Sequence, residues 1–193
     1  QASPGTAGII NIEREAGLSG EIYDKAHLII SSILRQTYAP DFPLSISAAI
    51  CFEQSYGMID GDSASCAELF ALLSAIGKIP LRQDIAVTGS LNQLGMVQPV
   101  GGISEKITGF FDTCALLGLT GTQGVIIPQS NKNNLFLPDR VVKAVTEKRF
   151  KIWTVSHIDG GIELLSGISK EAVASCVSAA LRDFAEKVKV FKR

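Results

Sequence analysis

Histidine and clustered cysteine are scarce in this chain, and their scarcity excludes the commonest metal sites. Only His27 and His157 occur among its 193 residues. The four cysteines lie one by one inside apolar segments, at Cys51, Cys66, Cys114 and Cys176. Zinc and related metals need several His or Cys ligands close together, so we predict no metal site and no cofactor in this segment. Isolated thiols of this kind indicate a reducing compartment, and we expect a cytoplasmic protein.

Excess charge, long apolar runs and nucleotide-binding loops are also missing. The 18 basic and 19 acidic residues give a net charge of −1, and no basic stripe is present. Nucleic acid is therefore not expected as a direct partner. No apolar run approaches the roughly 20 residues that a membrane-spanning helix needs, so no membrane contact is predicted. The phosphate-binding pattern GxxxxGK[ST] does not occur either, which argues against a P-loop ATP site in these residues.

The composition and the predicted secondary structure indicate one α/β domain. Hydrophobic residues make up 46% of the chain, and predicted helices alternate with strands. Residues 1–16 lack the features of a signal peptide and are interpreted as a linker, which leaves 17–193 as the folded domain. Helices are predicted at 22–38, 64–76, 138–146, 161–165 and 169–189, and strands at 44–52, 84–88, 125–127 and 151–155. A hairpin predicted within 90–100 favours a mixed sheet with packed helices.

A candidate nucleophile lies in residues 60–65, whose sequence is DGDSAS. This run connects an apolar strand to an apolar helix, so the hydroxyl of Ser63 can point outward. The free N–H groups at the start of the helix would lie beside it and could stabilise an oxyanion. Asp and Ser also cap helices well, so an ordinary helix cap explains the same residues.

The histidines and cysteines offer weak partners for such a serine. His27 lies in a helical pattern over residues 23–36, and His157 follows a predicted strand; neither has a partner motif around it. A Ser-His-Asp triad is therefore poorly supported. Cys66 is a competing nucleophile, but it lies inside the predicted helix and has no histidine nearby.

Lys106 is the alternative base. It follows a glycine pair and falls in the first turn of a helix that Ser104 could cap. The positive end of a helix disfavours a lysine ammonium there, whereas partial burial and the helix dipole together would favour the neutral amine that a base requires. The simpler alternative is that Lys106 pairs with Glu105 or Asp112 and faces water.

Three motifs in order resemble the proteolytic domain of Lon proteases. They are DGDSAS at 60–65, TGS at 88–90 and PVGGISEK at 99–106, with Ser63 and Lys106 separated by 43 residues. The segment GVIIP at 124–128 and the predicted strand 151–155 extend the resemblance, which covers about residues 17–166. It implies a ribosomal-S5-like α/β fold and a serine endopeptidase.

Carried over by position, the resemblance implies that Ser63 is the nucleophile and Lys106 its general base. Thr88 matches a threonine that orients the lysine through a hydrogen bond. An ordinary alternative exists for Thr88, because threonine favours strands and Thr-Gly commonly ends them.

The sequence departs from the best-known family pattern in its acidic residues. Asp62 stands where many bacterial members have proline, and this resembles the B-type branch. Glu53 and Asp60 are predicted to lie near the site, where they could tune Lys106, shape the substrate groove or cap a turn. An anion close to Lys106 would stabilise its ammonium form and oppose its use as a base.

The resemblance also implies a larger setting. Lon-like enzymes carry an AAA+ ATPase module, which uses ATP and Mg, in the same polypeptide, and they form hexameric rings that degrade unfolded or damaged proteins. A linker-like start suggests a fragment of such a protein, although a stand-alone Lon-like domain stays open. Two other functions stay open as well. One is a catalytically silent assembly or interaction module, and the other is a phosphate- or nucleic-acid-binding S5-like scaffold, which the near-neutral charge disfavours.

Overall fold

The computed structural model describes residues 1–191. The strands in this range are β1 (Ala2–Pro4), β2 (Gly8–Asn11), β3 (Ile46–Ile50), β4 (Ile85–Val87), β5 (Ser90–Leu91), β6 (Val97–Gln98), β7 (Gly124–Pro128) and β8 (Lys151–Val155). The helices are α1 (Ile12–Glu15), α2 (Glu21–Tyr38), α3 (Ser65–Gly77), α4 (Ile103–Leu117), α5 (Asp139–Thr146), α6 (Ile158–Ser166) and α7 (Lys170–Phe191), with a 3₁₀ helix at Gln129–Asn134. Over residues 1–191 no single helix is long and apolar enough to cross a bilayer, although α6 and α7 pass that test as a pair bent by 90°.

The strands form three small sheets. In the first, β3 lies between β1, which runs antiparallel to it, and β2, which runs parallel. The second sheet has the order β4-β7-β8 and is parallel throughout, while β5 and β6 form an antiparallel hairpin. The predicted mixed α/β class and the hairpin are therefore confirmed. All eight strands in residues 1–191 are short, with two to five residues each.

The predicted linker at residues 1–16 contains regular structure instead. Ala2 pairs with Ala48, and Gly8 pairs with Ser47, so both flanks of β3 are covered by this segment. Its Gly, Ser and Pro content gives no strand signal on its own. The pairing partner lies some 40 residues away in sequence, so the linker interpretation is wrong for the local structure.

The parallel sheet separates two apolar clusters and thereby places the helices of the site. Side chains alternate across a strand, so Val125 and Ile127 face one cluster, together with Ile107 of α4. Ile126 faces the other cluster, which contains Leu69 of α3. The two helices that carry the predicted serine and lysine motifs are thus fixed on opposite faces of one buried sheet.

Helix α6 begins earlier than the predicted 161–165. His157 caps it, because its Nδ1 accepts a hydrogen bond from the backbone N–H of Asp159 at 3.2 Å. Gly161 permits close packing on α3, since a Cβ atom there would lie 2.5 Å from the ring of Phe70. Gly161 therefore serves helix packing.

Candidate active site

The turn before α3 holds Ser63, and the end of β4 holds that turn. The carbonyl oxygen of Ser63 accepts hydrogen bonds from the backbone N–H of Gly89 at 2.9 Å and from the Thr88 hydroxyl at 3.2 Å. One residue into α3, the N–H of Cys66 donates to the Gly89 carbonyl at 3.1 Å. We call residues 62–64 the nucleophile turn. Its backbone is fixed by the residues that follow β4.

Free backbone donors surround the Ser63 position. The N–H of Ser65 donates to the carbonyl of Asp62 at 3.1 Å, and that of Cys66 is also satisfied. By contrast, the N–H groups of Asp62, Ser63 and Ala64 have no hydrogen-bond acceptor within residues 1–191. Unsatisfied donors at the start of a helix suit an oxyanion.

Lys106 lies in the first turn of α4, which begins after Gly102 in a left-handed backbone conformation (φ 64°). The side chain is exposed and forms no ion pair with any residue that the structure describes. Asp112, a predicted alternative partner, is bound instead by Arg140 at 2.8 Å. The lysine amine is therefore available to another group.

One cavity of about 250 Å³ brings the predicted residues together. Its lining consists of Ser63, Ala64, Ala86, Val87, Thr88, Lys106 and Val125. Lys106 is the one charged residue in that lining, and four of the others are apolar. A serine, a lysine and a threonine thus line one cavity with four apolar residues.

Thr88 contacts the serine rather than the lysine. It is buried, with 8% of its surface exposed, and its hydroxyl donates to the Ser63 carbonyl. It also lines the cavity with Lys106. This hydrogen bond holds the backbone of the nucleophile turn in place. The sequence did not predict that role for Thr88.

Asp62 is held by a residue that sequence reasoning missed. Its Oδ2 accepts a hydrogen bond of 2.6 Å from the hydroxyl of Ser90. Ser90 is the first residue of β5, and only 4% of its surface is exposed. The signal in the sequence is the third residue of the TGS motif, a serine directly after the predicted strand 84–88.

Asp60 and Glu53 are not in the cavity lining. The Asp60 carboxylate accepts hydrogen bonds from the N–H of Gly61 at 2.7 Å and of Tyr23 at 3.1 Å. These bonds, that from Gly61 first, lower the pKa of Asp60. Asp60 thereby caps α2, whose own cap residue Gly20 has no side chain and no room for one, since a Cβ there would lie 2.3 Å from the Asp60 carboxyl carbon. Glu53 is exposed on the preceding loop.

The alternative bases are His27 and His157, and the alternative nucleophile is Cys66. Each has a structural environment of its own. His27 is buried, and its Nε2 donates to the Ile9 carbonyl at 3.1 Å, while His157 caps α6. Burial raises the pKa of the Cys66 thiol to about 12, which disfavours the reactive thiolate. Across residues 1–191 no group of three or more His, Cys, Asp or Glu is placed to hold a metal ion.

Comparison with known proteins points to one family. A model of the Lon protease (S16) C-terminal proteolytic domain matches residues 53–166. A Lon protease homolog of Escherichia coli (strain K12) is 47% identical over 161 residues, which are 83% of this chain and 28% of that protein. A homolog from Haemophilus influenzae is 45% identical over 163 residues, 84% of this chain and 27% of that protein.

A more distant relative shows the same pattern of coverage. The archaeal Lon protease of Pyrococcus abyssi is 36% identical over 149 residues, which are 77% of this chain and 14% of that protein. The chain therefore spans less than a third of the length of each of these three relatives.

Proposed function

Because this chain belongs to the family of Lon protease (S16) C-terminal proteolytic domains, we propose that it hydrolyses peptide bonds with a Ser63–Lys106 dyad. The family consists of peptidases, and the dyad is the specific part of the proposal. The observation that carries it is the shared cavity, which both side chains line. The lack of an ion pair at Lys106 within residues 1–191 also supports it.

In the proposed reaction, the neutral Lys106 amine accepts the proton of the Ser63 hydroxyl. The Ser63 Oγ forms a bond to the scissile carbonyl carbon, and the carbonyl oxygen becomes an oxyanion. The free N–H groups of the nucleophile turn donate hydrogen bonds to it. The oxyanion then re-forms the carbonyl, the C–N bond breaks to leave the acyl-enzyme, and protonated Lys106 gives its proton to the departing amine. Water, deprotonated by the same lysine, hydrolyses the acyl-enzyme and restores the Ser63 hydroxyl.

The walls of the cavity indicate which side chains the site accepts. Four of the lining residues, Ala64, Ala86, Val87 and Val125, are apolar. An apolar side chain next to the scissile bond would lose its hydration on entering this space, and its burial would favour binding. We therefore propose that the site cleaves beside apolar residues, which folded proteins bury and unfolded or damaged proteins expose.

We propose a larger enzyme as the working form. In this proposal the chain is the protease module of an ATP-dependent protein in which an AAA+ module of the same polypeptide binds ATP and Mg. It works as a homo-hexameric ring on unfolded or damaged proteins in the cytoplasm. The support is the resemblance to Lon proteases, the much greater length of the relatives, and free thiols at all four cysteines, which suit a reducing compartment.

The dyad and its larger setting are tested separately. Cleavage of a fluorogenic peptide with an apolar residue before the scissile bond is measured for the wild-type chain and for Ser63→Ala and Lys106→Ala. We expect turnover only in the wild type. Equal turnover in Ser63→Ala contradicts the dyad, and no turnover in any of the three favours the silent assembly module. ATP dependence is measured on the full-length gene product with an unfolded protein as substrate.

A further inference from the structure

Ser90, the third residue of the TGS motif, makes a hydrogen bond of a different kind from those of the two residues before it. Thr88 and Gly89 bind backbone atoms of the nucleophile turn and of α3, and so fix the course of the chain. Ser90 instead donates to a side chain, the Oδ2 of Asp62. The backbone is already held without it, so this bond chiefly decides where the Asp62 carboxylate points.

The position of that carboxylate matters because Asp62 directly precedes Ser63. Ser63, the next residue, lines the same cavity as Lys106, so a carboxylate freed from Ser90 would be one residue away from that lining. An ion pair would stabilise the ammonium form of Lys106 and reduce the neutral amine that the proposed mechanism requires. Lys106 has no such partner among residues 1–191.

The other groups around Lys106 do not offer the same partner. The strands β4 and β7 and the residue after β4 contribute uncharged residues to the cavity, namely Ala86, Val87, Thr88 and Val125. On α4 itself, Glu105 is exposed and Asp112 is bound by Arg140. Asp60 accepts from the N–H groups at the start of α2. Asp62 is thus the acidic residue of the nucleophile turn, and a single hydroxyl restrains it.

We propose that Ser90 is a positioning residue that holds the Asp62 carboxylate away from Lys106 and so keeps the lysine available as a base. The inference rests on the proposed dyad and adds a determinant of its pH dependence. Ser90 suits this role because it is almost fully buried, where water cannot compete for the bond. Hydrogen bonds to an ionised acceptor are also stronger than those between neutral groups.

The fold fixes the donor as well. Ser90 pairs with Gln98 across the β5–β6 hairpin, and the N–H of Val97 in the same hairpin donates to the Ser156 carbonyl at 2.9 Å. The hairpin is thereby tied to the chain after β8. A rigid donor can hold a carboxylate in one orientation, whereas a donor on a mobile loop would follow it.

The test is the pH profile of Ser63 phosphonylation by a fluorophosphonate probe, in which the Ser63 oxygen bonds to phosphorus and fluoride leaves. In Ser90→Ala we expect the midpoint of the profile to move up by about one pH unit, because a nearby opposite charge favours the ammonium. The rate at pH 7 then falls about tenfold, and the rate on the high-pH plateau stays close to that of the wild type. Ser90→Thr, which keeps the hydroxyl, should restore the wild-type midpoint. Ser90→Cys, which keeps the volume but donates weakly, should give a smaller upward shift.

Two further variants separate this role from a structural one. Ser65→Ala removes another buried hydroxyl bound to Asp62, but that hydroxyl donates to the Asp62 carbonyl at 2.6 Å rather than to the carboxylate. This variant can slow phosphonylation, but the midpoint should not move. Adding Asp62→Asn to Ser90→Ala should return the midpoint to the wild-type value. An unshifted midpoint in Ser90→Ala and Ser90→Cys, or a shift that Asp62→Asn does not reverse, overturns the proposal. Failure of the dyad itself would appear differently, as a wild-type chain that is not labelled at Ser63.

Discussion

The hydroxyl of Thr88 donates a hydrogen bond to the carbonyl oxygen of Ser63 across 3.2 Å. Together with the N–H of Gly89, it ties the end of a buried parallel strand to the turn that carries the proposed nucleophile. A nucleophile must be held within a fraction of an ångström of its reacting position. The sheet β4-β7-β8 therefore supports the turn that carries the proposed nucleophile.

Replacement of Thr88 by valine should impair catalysis more than folding. Valine would keep the shape of the side chain and lose the donor to Ser63, while the Gly89 bond would remain. We expect acylation of Ser63 to slow by about tenfold to a hundredfold. The free energy of unfolding should fall by about 1 kcal/mol, the usual value of one hydrogen bond. Thr88→Ser keeps the hydroxyl and should stay near wild type in both measurements; equal acylation rates in the two variants would contradict this role.

A larger residue at position 86 should change substrate choice. Ala86 lines the cavity with Ser63 and Lys106, so Ala86→Leu would fill the space proposed for the substrate side chain. We expect kcat/KM to fall about tenfold or more for peptides with a large apolar residue before the scissile bond, and to change little for those with glycine there. Ala71→Leu, an exposed position on α3, is the matched control. A parallel loss for both peptides would show that the residue does not select the side chain.

The buried carboxyl of Glu68 should make stability depend on pH. One oxygen accepts from the Tyr23 hydroxyl, and the other has no partner within the described chain. Burial first, and then the charge of Glu13, raises the pKa of Glu68. A raised pKa means that folding favours the protonated form, so stability is greatest below the unfolded-state pKa and is lost as pH rises through the folded one.

Glu68→Gln should therefore stabilise the protein at neutral pH. The amide oxygen can still accept from Tyr23, and no charge is buried. We expect the free energy of unfolding to rise by about 1 kcal/mol at pH 7 and to match the wild type near pH 4. Glu68→Ala, which leaves the Tyr23 hydroxyl unpaired, should destabilise at both values. Denaturant unfolding at the two pH values measures this, and a Gln variant less stable than wild type at pH 7 would contradict it.

Asp60 should matter for folding through the start of α2. Asp60→Ala removes the acceptor for the N–H groups of Tyr23 and Gly61, so the melting temperature should fall at pH 7. Asp60→Asn keeps an acceptor oxygen and should melt near the wild type. Because the pKa of Asp60 is lowered, its contribution is present above the ordinary value of 3.8 and is lost as pH falls below it. A difference between Ala and wild type that persists unchanged at pH 2 would contradict this cause.

Secondary structure was predicted well where the local sequence pattern alone determines it. The strand Lys151–Val155 has its predicted bounds, and the bounds of α2 differ from the prediction by one residue. The motifs at 60–65 and 99–106 identified two side chains that the fold places on one cavity. The strand and the helix follow from residues adjacent in sequence, and the two side chains follow from the family resemblance.

Features that depend on distant partners were missed. β1 and β2 form only because β3 offers its two flanks. The bond from Ser90 to Asp62 joins residues 28 apart, and Asp60 caps a helix that begins 39 residues earlier in the chain, at Glu21. Sequence shows that a residue can donate or accept, but the fold decides which partner it meets.

In the proposed dyad, Ser63 is a nucleophile that Lys106 activates. The direct measurement is mass-spectrometric mapping of the adduct formed with a fluorophosphonate probe, compared among the wild type, Ser63→Ala and Lys106→Ala. We predict one adduct, on Ser63, which is absent in Ser63→Ala and forms about 10²- to 10⁴-fold more slowly in Lys106→Ala. An adduct that persists in Ser63→Ala, or that forms in Lys106→Ala at the wild-type rate, would contradict the dyad.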